Sequence, residues 1–268
     1  MTREWWMVAV VAGWLAGACA DDGEPGASET SGGGDGAGPG ATLDPDGGPG
    51  GPDDGASGGA EESGYGMDDD MPLVASIPSI KTGEIGVGTL VEVRRVVVTS
   101  QLGELSNGIG YFVQDPSETT FAGIRVGEGA ASPPERGEGA TIVAKVDRDG
   151  AGPFLVPQSV VPDGIGGEPP PLRTDIAALA PGEPKREPLQ DMVLMVVEGS
   201  GAPLTVGDEL EPGVLALREG VVIDLDLLVD TPPLQTGALL EAVTGILVIE
   251  GETSVILPRG PEDLRLAK

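Results

Sequence analysis

The chain has 268 residues, with 45 glycines and 25 prolines, and the glycines are densest in the stretch before residue 72, so the folded part is shorter than the chain. Fifteen Lys and Arg against 44 Asp and Glu give a formal charge of -29, which repels phosphate backbones and anionic lipid headgroups. The lack of any histidine removes the imidazole base and ligand along with Ser-His and Cys-His nucleophiles, and the single cysteine, Cys19, excludes an internal disulfide and a thiolate zinc cluster.

Residues 1–19, MTREWWMVAVVAGWLAGAC, place Arg3 before an apolar run from Trp5 to Leu15 and then small residues, the order of a secretory signal. The run stops at Asp21 and Asp22, short of the about 20 apolar residues that a spanning helix needs. The segment Leu15 to Cys19, LAGAC, resembles a bacterial lipobox, with Ala16 where leucine usually stands. That resemblance implies diacylglyceryl modification of Cys19, with acyl chains such as palmitate, and a membrane anchor in the cell envelope, at the periplasmic or surface face of an outer membrane. An ordinary signal peptide cut near Ala18 or Ala20 is the alternative. Residues 20–71 hold fourteen acids and no Lys or Arg, in runs such as SGGGDGAGPG, with little to bury. This composition predicts a disordered acidic tether reaching roughly 40 Å or more. Asp44 and Asp68 to Asp70 lack the alternating ligands of a calcium loop, so no metal is expected.

Order is expected from Pro72. In GTLVEVRRVVVT, from Gly88, Val91 and Val93 alternate with Glu92 and Arg94, and the alternation slips at Arg94 and Arg95 before resuming at Val96, as at a β-bulge. Ser106-Asn107-Gly108 signals a turn into the strand Tyr111-Phe112-Val113. Further strands are predicted at 121–126, 140–146 and 154–161. By alternation Phe112 faces away from Tyr111 and Val113. In the segment from 166 to 187, Thr174 or Asp175 caps a helical turn through Leu179 that Pro181 stops. A second β-rich region, 188–268, repeats the strand count and suggests a duplicated module.

These strands resemble the oligonucleotide/oligosaccharide-binding (OB) barrels appended to secreted bacterial nucleases and found in bacterial lipoproteins. The resemblance is carried by GTLVEVRRVVVT from Gly88, YFVQDP from Tyr111, GIRV from Gly123 and LPRGPEDL from Leu257. Arg95 stands where that family often has glycine, and no helix is evident between the third and fourth strands of the first module. The expected fold is therefore all-β: two tandem five-stranded Greek-key OB-like barrels, 72–165 and 188–268, joined by a linker at 166–187 and preceded by the signal peptide and tether.

Candidate ligand contacts are Tyr111 as a stacking platform, Gln114 beside the Asp115-Pro116 turn, and Arg94 with Arg125 on one face. Each has a structural alternative in core packing, turn formation or a solvated face. Arg259 is expected to pair with Asp263. No catalytic residue and no cofactor is expected. A strand pairing Asp224 with Asp226 on one face is the sole hint of carboxylate hydrolysis, and it reads equally as an amphipathic strand. Fourteen basic and 29 acidic residues from 72 onward, with four aromatics, disfavour nucleic acid. The expected function is that of a monomeric, non-enzymatic, lipid-anchored envelope protein binding a protein or glycan. The alternative is a nucleic-acid-binding accessory of a secreted nuclease system.

Overall fold

The computed structural model describes residues 71–105, 108–129, 132–164, 166–217, 220–228 and 234–268. Cys19 and the tether lie outside them. The regular structure of the described chain is mostly strand, arranged as two sheets, with only short helical turns between them.

The first sheet opens with β1, Leu73–Ala75, which pairs in parallel with β2, Leu90–Val98. Between them lies the five-residue helix α1, Ile77–Lys81. Ser76 caps it by accepting a hydrogen bond from the Ser79 amide, Pro78 takes an early helical position where no amide is needed, and Ile77 and Ile80 turn inward. The hairpin of β3, Gly103–Leu105, and β4, Gly108–Gln114, follows, then β5, Gly123–Gly127. The long hairpin of β6, Gly139–Asp149, and β7, Gly152–Pro162, completes the sheet. Neighbours run β2-β6-β7-β5-β4, and β4 pairs back onto β2 through Val97–Gln114 and Val98–Val113, closing a five-stranded barrel. All contacts in the ring are antiparallel except β5 with β7.

Inward residues follow the period-2 pattern. Val91, Val93, Val96, Val98, Tyr111, Val113, Ile124, Val126, Ile142 and Leu155 form one core with Ile77 and Ile80 of α1. The register between β2 and β6 shifts between Val93 and Val96, and Arg95 takes φ 58°, so the slip in the sequence is a bulge that bends β2 around the ring. An arginine thus occupies a left-handed position that favours glycine. Among the described residues no helix stands between β5 and β6.

The second sheet begins inside the stretch read from sequence as a linker. β8, Leu172–Asp175, pairs in parallel with β9, Val193–Val197. Between them Asp175 caps a 3-10 turn at Ile176–Leu179, as its sequence predicts. Then come β10, Leu204–Thr205; β11, Glu209–Glu211; β12, Val214–Ala216; β13, Val221–Asp224; β14, Leu239–Glu250; β15, Thr253–Leu257; and β16, Leu264–Leu266. The order β9-β14-β15-β13-β12 repeats the neighbour order of the first ring, with β13 and β15 parallel as β5 and β7 are. Among the described residues no pairing joins β12 to β9, so this ring is open where the first is closed. A sequence echo accompanies the shared order: Pro72-Leu73 leads into Ser76-Ile77 and Ile80, and Pro171-Leu172 leads at the same spacing into Asp175-Ile176 and Leu179.

The strand expected through Asp224 and Asp226 ends at Asp224. Its carboxylate accepts the Asp226 amide at 2.9 Å, which makes a turn, so the two acids do not share a strand face.

The bulge yields a stability prediction. Arg95→Val forces a β-branched residue to φ 58° and is expected to cost about 1–2 kcal/mol relative to Arg95→Gly in denaturant unfolding. Equal stability of the two variants would show that the bulge relaxes to ordinary strand geometry.

Candidate functional site

The outward face of β4 and β5 is where the two sheets meet. Phe112 points away from the first core, as its alternation with Tyr111 predicts, and is 1% exposed. It packs with Val193, Val222, Ile246, Val248, Val255 and Leu257, the outward side of the second sheet, in a separate apolar cluster. The second sheet keeps its own core on the opposite side, built around Leu194, Val196, Val221, Ile223, Val243 and Ile256. Each sheet therefore has one internal face, and the junction is made by Phe112 with Leu105 on the outer side of the first sheet and by the outward residues of the second.

Polar groups lock this contact. The Gln114 side-chain oxygen accepts the Val193 amide at 3.0 Å in a buried setting, and the Phe121 amide donates to the Pro188 carbonyl at 2.6 Å. Gly123 lies against the Asp191 carbonyl so closely that a Cβ there would overlap it. Phe121 and Asp191 carry positive φ, 52° and 66°, so two of the three non-glycine residues in this conformation among the described residues sit at the junction. Lys81, at the end of α1, donates to the Asp191 carboxylate at 2.6 Å, and their side chains are 4% and 6% exposed. Burial raises the Asp191 carboxyl above its ordinary range, and the Lys81 charge opposes that shift without cancelling it.

A second polar group ties the sheets where the second module's strand β15 leaves the junction. Arg259 bonds Asp263, as expected, and also reaches Glu168 at 3.1 Å and the Thr99 carbonyl at 3.4 Å. Arg136 joins the same group through Glu168 and the Arg259 carbonyl.

The four candidate ligand residues do not converge. Tyr111 is in the first barrel's core, 3% exposed, and burial pushes its hydroxyl up to about 12. That hydroxyl has no hydrogen-bond partner among the described residues. Gln114 is engaged at the junction. Arg125 is buried, pairs with Asp149 and lies 4.6 Å over the Phe154 ring. Arg94 alone is on the open surface, paired with Glu92 at 2.7 Å, and that bond holds the Glu92 carboxyl below its ordinary value.

What stays open beside the junction is a cleft of about 750 Å³. Its walls are the β6–β7 turn at 148–153, the β14–β15 turn at 251–252, and the segment 182–190 that follows the 3-10 turn. The corresponding hairpin turns of both sheets thus face one space. Arg186 lies in its wall, 7% exposed, with its guanidinium nitrogens donating at 2.6 Å to the Gly251 and Glu252 carbonyls. Arg148, Glu183, Glu187 and Glu252 are exposed around it. Sequence reading passed over these residues because they lie on turns and in the apparent linker, where no periodicity marks them. Among the described residues no group of His, Cys, Asp or Glu is arranged to hold a metal ion. Comparison with protein-family models, with curated proteins and with solved structures found no match.

The junction pair sets a pH dependence with a definite sign. A carboxyl raised in the folded state contributes stability that is complete below its unfolded value, near the ordinary carboxyl range, and is lost as pH rises through the folded value. Urea unfolding of Asp191→Asn against wild type is therefore expected to favour the variant progressively as pH rises above about 4. Lys81→Met leaves a buried carboxyl unpaired and is expected to cost about 3–5 kcal/mol near neutrality, and less toward pH 4. A pH-independent difference for both variants would contradict the buried placement of Asp191.

Proposed function

We propose that this chain is a non-enzymatic binding protein, lipid-anchored at Cys19 in the bacterial cell envelope, whose two OB-like modules act as one body and present the junction cleft to a protein or glycan partner. The observation that carries the reading is the fate of the β4–β5 outer face. In OB barrels that face binds the ligand. Here Phe112 and Gln114 on that face contact the second sheet, so a partner must use what the junction leaves open, and that is the cleft. The ring order and the parallel pairing of β5 with β7 support an OB-type Greek-key barrel for the first module. The repeated order and the Pro-Leu echo support an open second copy of it.

The lipobox-like start and acidic tether supply the anchor and the reach. No helix among the described residues is long and apolar enough to cross a membrane. Nucleic-acid binding, the alternative, calls for a basic groove with stacking aromatics, and the aromatic that β4 offers on its outer face, Phe112, is buried.

Three measurements test this reading. Metabolic labelling with an alkyne fatty acid is expected to mark wild type and not Cys19→Ser, and equal labelling refutes the anchor. Gly150 lines the cleft with open space at its Cβ position, so Gly150→Trp is expected to cut co-sedimentation with isolated cell envelopes by about tenfold or more, roughly 1.4 kcal/mol. Retention equal to wild type would move the partner site elsewhere. Titration with single-stranded DNA at about 50 mM salt, where phosphate contacts are strong, is expected to give no binding.

A further inference from the structure

We propose that the cleft seats a short zwitterionic peptide, its carboxylate taken by Arg186 and Arg148 and its ammonium group by the glutamates Glu183, Glu187 and Glu252. This inference rests on the cleft being the partner site and specifies what that site takes.

Arg186 carries the argument. Its guanidinium is buried and fixed by two backbone carbonyls, yet among the described residues no carboxylate pairs with it. Carbonyl dipoles hold the group in place without neutralising its charge, so the wall of the cleft keeps a preorganised positive centre. Arg148 adds a second cation from the β6–β7 turn, also without an ion-pair partner among the described residues. A guanidinium presents paired donors that match the two oxygens of a carboxylate.

The three glutamates stand in the same cleft, exposed and in no ion pair among the described residues. Lys81 and Asp149 also line the cleft but are each held in an ion pair of the fold, so a polyanion such as nucleic acid or a uronic-acid polymer would meet the three unpaired glutamates along with the two arginines. A neutral saccharide would satisfy neither set of charges. A ligand with one free carboxylate and one free ammonium group satisfies both. The volume, about 750 Å³, suits a small ligand, and three extended residues span only about 10 Å. Phe121 supplies an apolar wall for small side chains.

The test uses the full chain and four probes: trialanine, N-acetyl-trialanine, trialanine amide and maltotriose, titrated by calorimetry into wild type, Arg148→Gln and Glu252→Gln. Both substitutions are on exposed side chains for which no hydrogen bond is found among the described residues. Trialanine is expected to bind wild type with Kd of about 1 mM or tighter, and blocking either end is expected to weaken it by about fivefold or more. Arg148→Gln should shrink the difference between acid and amide, and Glu252→Gln the difference between free and acetylated amine. Blocked peptides that bind as well as trialanine, variants that leave both differences intact, or no trialanine binding at about 10 mM each overturn the inference. Maltotriose binding alone, weakened by Gly150→Trp, also overturns it while leaving the cleft as the partner site. Loss of envelope co-sedimentation sensitivity in Gly150→Trp, by contrast, removes the cleft reading itself.

Discussion

The structure depends on both faces of β4 being buried at once. A strand in a small barrel ordinarily spends alternate side chains on the core and leaves the others to water. In β4 Tyr111 and Val113 fill the barrel while Phe112 and Gln114 are covered by the second sheet. Neither module can expose its junction face without uncovering a contiguous apolar surface that includes Phe112, Val193, Val222, Ile246 and Leu257, so each is the other's solvent shield. The closed ring supplies the rigidity that this double burial needs, since pairing of β2 with β4 leaves β4 no freedom to rotate.

Around that apolar contact the polar groups play a different part. The Gln114 bond to the Val193 amide, the Lys81–Asp191 pair and the Arg259 group each cross from one module to the other. Buried pairs of this kind add little net stability, because desolvation offsets most of their attraction. What they do is forbid alternatives: any sliding of one sheet across the other strands a charge or an amide away from water. The close approach of Gly123 to the Asp191 backbone and the positive φ of Asp191 and Phe121 belong to the same fixed geometry. Hydrophobic area holds the modules together, and polar matching sets where.

Much of the first barrel is legible in the sequence because its strands are amphipathic or bounded by turns. The Arg94–Arg95 slip marks the bulge, the run Tyr111 to Val113 lies in β4, and Asp175 caps its helical turn. Local rules fail where the reason for a residue is distant. β1 is three residues long and owes its strand to parallel pairing with β2, and β8 sits in a Pro-rich stretch that resembles a linker until β9 is beside it. Tyr111, Gln114 and Arg125 look like ligand residues because polar or aromatic side chains beside a turn usually face water. A second module lying over the β4–β5 face changes the surroundings of Gln114, and no single-strand pattern contains that information. The cleft is hidden for the same reason, being assembled from turns more than a hundred positions apart.

The first strand has a mechanical meaning. Any load carried along the chain from residue 71 enters the body through β1, which is held to β2 by three parallel residue pairs, Leu73 to Val91 through Ala75 to Val93. Pulling along a strand loads its cross-strand hydrogen bonds together in shear, so β1 resists as a unit and yields as a unit. Behind it α1 leads directly to Lys81 and the junction pair. The fold therefore has a short mechanical fuse whose first load falls on barrel strand β2, and only once β1 yields does a pull on the chain pass through α1 to the contact between the two sheets.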